Sequence, residues 1–136
     1  AALMNRPDVA FTQYAIGLDV VLGDKSESAK TVSRRAATIM HERTGADFDL
    51  IGARVKTLYN ARSKYVHEGK PVSVDELRLV REIAAEVLRC LLCAVTHHEG
   101  GEDAHVDWVG ALDHIASAIK TAATIDHEIR ARAGLS

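Results

Sequence analysis

A chain of 136 residues carrying 17 basic and 19 acidic side chains, with a net charge of −2, has the size of one domain around a single core. Its charge excludes nucleic-acid binding by bulk positive potential, so any such contact must be local. Aromatics are only 4% of a composition rich in alanine and aliphatic residues, which favours helices packed on helices over a β-sandwich. The first residues lack a charged leader with an apolar core, and the richest apolar run, Leu91-Leu92-Cys93-Ala94-Val95, is too short to cross a bilayer. Two cysteines without an extracellular cue predict a reducing, cytoplasmic setting. The absence of an initial methionine and the early first helix predict a domain cut from a longer chain, whose other domains would then be partners.

Five helices are expected in one domain. The first spans 8–22, with Asp8 as N-cap after Pro7 and Phe11, Tyr14, Leu18 and Val21/Leu22 at helical spacing. Gly23-Asp24 ends it. The second follows the serines near Ser28 and runs to about Arg43, burying Ala29, Val32, Ala36 and Ile39/Met40. The third, capped by Asp47, places Ile51, Val55, Leu58, Arg62 and Tyr65 on one stripe and stops at Gly69, with Pro71 beyond. The fourth opens on Ser73-Val74-Asp75-Glu76, a capping-box pattern, and continues to about Thr96. A polar loop leads to a last helix over 104–131, with Val109, Leu112, Ile115, Ile119, Ala122 and Ile129 as its apolar line. Short loops between amphipathic helices predict an all-α fold: an antiparallel four-helix bundle with an additional C-terminal helix.

The third helix ends in the stretch that carries chemistry. Arg62 and His67 supply a fixed positive charge and a group that moves protons near neutral pH, a minimal kit for a phosphodiester. The spacing alone has little value, because 11 arginines and 7 histidines produce roughly one or two such pairs by chance. Arg35 and His41 form a decoy of slightly longer spacing. Context separates the two pairs: Arg62 lies on the buried stripe, where a guanidinium needs a carboxylate or a solvent-filled cleft. His67 lies at the helix end. Five residues on a helix turn through about 140°, so convergence requires a frayed helix end or a second copy of the site.

The wider segment is Leu58-Tyr59, two residues, Arg62-Ser63, two residues, Val66-His67, Glu68 and Gly69. Upstream stands Ala15-Ile16-Gly17-Leu18-Asp19-Val20-Val21-Leu22-Gly23, with an acidic residue among leucines before a glycine, and Arg34-Arg35 follow in the second helix. Over residues 8–96 this pattern resembles the HEPN superfamily, and within it the Apea-like group. The resemblance implies a HEPN-like four-helix bundle that dimerises and brings two Arg-x4–6-His motifs into one cleft, often as a metal-independent endoribonuclease in a prokaryotic defence or toxin system. Arg62 and His67 are the matching catalytic positions. Ser63 departs from the acidic, asparagine or histidine residue that follows the arginine in many nuclease members, a departure common in the Apea-like group.

The chemistry is coherent in its own right. RNA carries its own nucleophile, the 2′-hydroxyl, so cleavage needs a base, an acid and positive charge on the transition state, with no metal or other cofactor. His67 is the expected base or acid, and Arg62 the phosphate fork. Tyr59, Asn60, Ser63 and Lys64 are candidates for substrate contacts, and Asp19 for orienting Arg62. The leading expectation is a homodimeric endoribonuclease acting on RNA. The alternative is a catalytically inactive HEPN module that mediates dimerisation and binds RNA or a protein partner. A plainer structural reading pairs Arg62 with Asp19 and makes His67 a helix cap.

Four further features read as structure. Cys90 and Cys93 form a C-x-x-C within an amphipathic helix, as small buried thiols. His97, His98, Glu99, Glu102, Asp103 and His105 surround two glycines without fixed ligand spacing, as a solvated connection. His114 and His127, with Asp113, Asp126 and Glu128, suggest an exposed polar face. Trp108 reads as a packing anchor.

Overall fold

The computed structural model describes residues 7–25, 28–97 and 103–135. Among them are six helices and no strand: α1 (Pro7–Leu22), α2 (Ser28–Thr44), α3 (Phe48–Glu68), α4 (Val74–His97), α5 (Ala104–Thr121) and α6 (His127–Arg132). The all-helical expectation holds. Pro7 is itself helical, which the missing amide of proline allows in a first turn, so Asp8 lies inside α1 and is not its N-cap. Asp47 caps α3 by accepting from the Leu50 amide at 2.8 Å. The capping box of α4 closes in both directions, with Ser73 Oγ accepting from the Glu76 amide at 3.1 Å and Glu76 Oε1 from the Ser73 amide at 3.3 Å.

The last helix departs from expectation. Instead of one rod over 104–131 there are two helices, parted at Ala122, which takes the left-handed conformation with φ 54°. The Ala122 amide donates to Ile119 O at 3.3 Å and the Ala123 amide to Ala118 O at 2.9 Å. This two-bond closure normally advertises itself with glycine. Ala122, expected on the apolar line, is exposed. Asp126 then starts α6 by accepting from the Glu128 amide at 2.8 Å.

α2 lies at the centre, in contact with α1, α3, α4 and α5. Every residue from Thr31 to Met40 is buried except half-buried Arg34, whereas Ala29 is exposed. Its polar side chains survive burial by bonding close to home: Ser33 Oγ donates to Ala29 O and Thr38 Oγ to Arg34 O, at 2.5 and 2.8 Å. Arg35, only 7% exposed, is held from two other helices. Its Nε and Nη2 meet Asp113 Oδ1 and Oδ2 of α5 at 2.9 and 2.8 Å, and Nη1 donates to Leu22 O at the end of α1 at 2.7 Å. Arg34 Nη2 adds a bond to Asp113 Oδ1 at 3.0 Å. Burial alone would raise the Asp113 carboxyl, but the two arginines outweigh it and hold the group below its ordinary range. Asp113 therefore leaves the exposed polar face on which it was expected, while His114, His127, Asp126 and Glu128 are exposed as read.

α6 seals the end of α4. The Ala133 carbonyl accepts from Trp108 Nε1 at 3.1 Å and from the Cys90 thiol at 2.8 Å, so Trp108 is the packing anchor expected of it. Gly134 follows at φ 75°, and a Cβ there would stand 2.3 Å from Cys90 O and 2.8 Å from Ala94 N, so this contact requires glycine. Arg130 pairs with Glu42 of α2 at 2.8 Å. Burial pushes the Cys90 thiol up to about 11. Cys93, expected to be buried, is exposed. Of the polar loop, His97 pairs with Glu128 at 3.3 Å and His105 with Val21 O at 2.7 Å; His98, Glu99 and Glu102 lie outside the described residues.

Removing Arg35 leaves the half-buried Asp113 carboxylate with Arg34 alone and takes the side-chain donor from the Leu22 carbonyl, so Arg35→Met is expected to cost about 2 kcal/mol in urea denaturation. Because the folded Asp113 carboxyl titrates below its unfolded value, its contribution is complete above about pH 4 and lost as pH falls through the folded value. Asp113→Asn should accordingly lower stability at neutral pH and flatten the acid limb of the stability profile.

Candidate functional site

The core stripe of α3 runs through Ile51, Val55 and Leu58, all buried, and continues into half-buried Arg62 and Tyr65. α1 crosses this end in the antiparallel sense. Tyr59 Oη donates to Asp19 Oδ1 at 3.1 Å, and Tyr65 Oη to Asp8 Oδ2 at 2.8 Å; the later residue of α3 meets the earlier residue of α1. Arg62 is three residues from each tyrosine and lies between the two bonds. The Tyr59 phenol is pushed well above its ordinary value, first by burial, then by the charge of Asp19 and its hydrogen bond, with the nearby Arg62 charge opposing them.

The anticipated Arg62–Asp19 ion pair is not formed. The tyrosine hydroxyl reaches across to α1 and occupies Asp19 Oδ1, and Arg62 has no hydrogen bond or ion pair among the described residues. Asp19 and Arg62 each act on the Tyr59 phenol, in opposite directions. The Tyr59 hydroxyl proton is already committed, whereas Asn60, Ser63 and Lys64 are exposed and accessible.

His67 is exposed in the last turn of α3, and it does not cap the helix. That role falls to Gly69, left-handed at φ 69°, whose amide donates to Tyr65 O at 3.1 Å while the Lys70 amide reaches Lys64 O at 3.4 Å. α3 stays helical through Glu68. The frayed end that would let His67 swing towards Arg62 is therefore missing, and within one chain the two side chains point about 140° apart. His67 instead shares a polar face with Lys56, Asn60 and Ser63, at intervals of four, three and four residues, all exposed.

The decoy pair is structural. Arg35 is the clamp described above, and His41 Nδ1 meets Ala46 O at 2.8 Å with its ring edge-on to Phe48. Among the described residues no three His, Cys, Asp or Glu side chains are grouped as a metal site requires. A basic groove between α2, α3 and α5 escaped the sequence reading. It has a volume of about 260 Å³ and is lined by Lys30, Arg34, Lys56 and Lys120 with Asp49 as the only carboxylate. Lys56 was legible on the His67 face of α3, but Lys120 reaches this groove only through the tertiary packing of α5. No family model, curated protein or solved structure matches this chain.

Tyr59→Phe is expected to cost about 1 kcal/mol in denaturant titration, the loss of one hydrogen bond at a half-buried site. The raised phenol stabilises the fold fully below about pH 10, and that contribution fades as pH rises towards the folded value. The phenylalanine variant should thus show a shallower alkaline loss of stability than the parent.

Proposed function

We propose that this chain is a HEPN-type, metal-independent endoribonuclease, working as a homodimer with Arg62 and His67 as its catalytic groups. In this reading α1–α4 form the antiparallel four-helix bundle, α5 and α6 pack alongside, and the setting is a cytoplasmic defence or toxin system, as the Arg62–His67 segment's resemblance implies. The observation that carries the proposal is the state of Arg62. It is a half-buried guanidinium with no ion pair among the described residues, and the α1 carboxylates Asp19 and Asp8 are engaged by Tyr59 and Tyr65. A half-buried guanidinium whose donors are not taken by a carboxylate is suited to receive a phosphate.

The reaction balances without a cofactor. A neutral His67 imidazole takes the proton of the ribose 2′-hydroxyl as the 2′-oxygen attacks phosphorus. The bond from phosphorus to the 5′-oxygen breaks, and a protonated imidazole supplies the proton to that leaving oxygen. The products are a 2′,3′-cyclic phosphate and a 5′-hydroxyl. Arg62 holds the non-bridging oxygens, where negative charge accumulates. Asn60, Ser63 and Lys64 are placed to contact ribose, base or neighbouring phosphate.

The regular end of α3 supports the dimer, because Arg62 and His67 of one chain diverge and a second copy offers the complementary pair. An apolar surface is available for such pairing. Val20 on α1 is 73% exposed, and Leu88, Leu92 and Val95 continue along one side of α4 at 56%, 58% and 55%. Leu88 also lines a groove with Tyr14, Gly17, Val21 and Leu91; surfaces of this kind mark contact sites. No helix among the described residues is long and apolar enough to cross a membrane.

Purified chain incubated with single-stranded RNA in excess EDTA should cut it, with His67→Ala and Arg62→Ala each reducing the rate at least about 100-fold. Val20→Glu with Leu88→Glu should yield a monomer in sedimentation and lose cleavage together with the dimer. Wild type as inactive as the variants, with RNA still bound, would replace this reading by the catalytically silent binding module.

A further inference from the structure

The groove between α2, α3 and α5 stands out against the charge of the whole molecule. The chain carries a net −2, yet this one concavity gathers Lys30, Arg34, Lys56 and Lys120 from three helices around the single carboxylate of Asp49. Such convergence concentrates positive potential locally in a chain that is nearly neutral as a whole. Arg34 is fixed by its bond to Asp113, so part of the charge is preorganised, while Lys56 and Lys120 are exposed at the rim. Phe48 forms part of the wall, and its edge contact with His41 holds the ring in place.

The groove also points somewhere. Lys56 opens the polar face of α3 that continues through Asn60 and Ser63 to His67, a distance of about 16 Å along the helix axis. This is the span of a few nucleotides of an extended strand, with cations at one end and the imidazole at the other. We infer that the α2–α3–α5 groove is a phosphate track for single-stranded RNA, gripping the backbone to one side of the bond presented to His67, an assignment resting on the nuclease reading above. Lysine ammonium groups meet successive phosphates, and Phe48 offers a face for one base to stack upon. An acidic peptide would match the charge but would use neither the aromatic wall nor the continuity with His67. The track gives α5 a task, since Lys120 completes it from a helix outside the α1–α4 bundle.

Binding is best measured by fluorescence anisotropy on the full chain carrying His67→Ala, with a short single-stranded RNA of mixed sequence at several salt concentrations. Lys56→Gln with Lys120→Gln should weaken binding about tenfold or more and lower the slope of log K against log salt by about 1.4, two single-strand phosphate contacts. Lys56→Arg with Lys120→Arg should retain binding. Arg54→Gln with Arg78→Gln removes the same charge elsewhere and should leave the slope unchanged. Equal weakening by the two glutamine pairs would overturn the track, as would displacement of the RNA by polyglutamate of equal charge or by anionic vesicles. The nuclease reading fails separately: RNA binding that depends on Lys56 and Lys120 without any cutting by the chain with His67 intact would leave the track standing. Cutting of dilute RNA that is undiminished by the double glutamine change would remove the track and leave the nuclease.

Discussion

The fold is organised around one guanidinium. Arg35 issues from the central helix, donates to the last carbonyl of α1 and forks onto Asp113 of α5, so three helices are registered by a single planar group. A cation this deep is costly unless every donor direction is answered. Here the answers come from a bidentate carboxylate and from a helix-end carbonyl that α1 cannot satisfy internally. The fit is directional, unlike the surrounding aliphatic contacts, and fixes where α1 ends relative to α2 and α5. The nearby pairs of Arg43 with Glu86 and Arg130 with Glu42 tie the opposite end of α2 to α4 and α6.

The position of α1 then decides the chemistry of α3. With its C-terminus held at Leu22, α1 presents Asp8 and Asp19 along one side, and both carboxylates accept from tyrosines of α3. A carboxylate that accepts a phenol's hydrogen bond keeps its own charge, and that charge helps to hold the Tyr59 phenol protonated. Arg62 is left between the two bonds, positioned but unneutralised. In the proposed reading stability and reactivity are coupled here: a direct Asp19–Arg62 ion pair would take the arginine away from a phosphate. The same helix carries His67 outward, and its exposed polar face runs back to Lys56 at the groove shared with α2 and α5.

How much of this was legible in the sequence follows from which interactions are local. The bounds of α1 to α4 were readable because proline, glycine and side-chain caps act within a few residues; the Ser73–Glu76 box and Gly69 behave as their types require. The division of the last helix was not readable, because Ala122 performs a closure that glycine usually signals. α2 was expected to bury only an apolar line, yet Ser33 and Thr38 are buried by bonding their own backbone and Arg35 is answered from sequence positions far away. Local pattern cannot anticipate such compensation. The candidate site divides the same way: Arg62 and His67 were singled out from their place on α3, but the partner of Asp19 and the arrival of Lys120 depend on packing between helices.

The central claim is that Arg62 and His67 perform metal-free transesterification through the RNA's own 2′-oxygen. The most direct measurement is end-group analysis of RNA cut by the purified chain in EDTA. Products ending in 2′,3′-cyclic phosphate and beginning with 5′-hydroxyl, formed by wild type and missing with His67→Ala, are the predicted result. Products beginning with 5′-phosphate, or cyclic-phosphate ends that persist undiminished in His67→Ala, would contradict it.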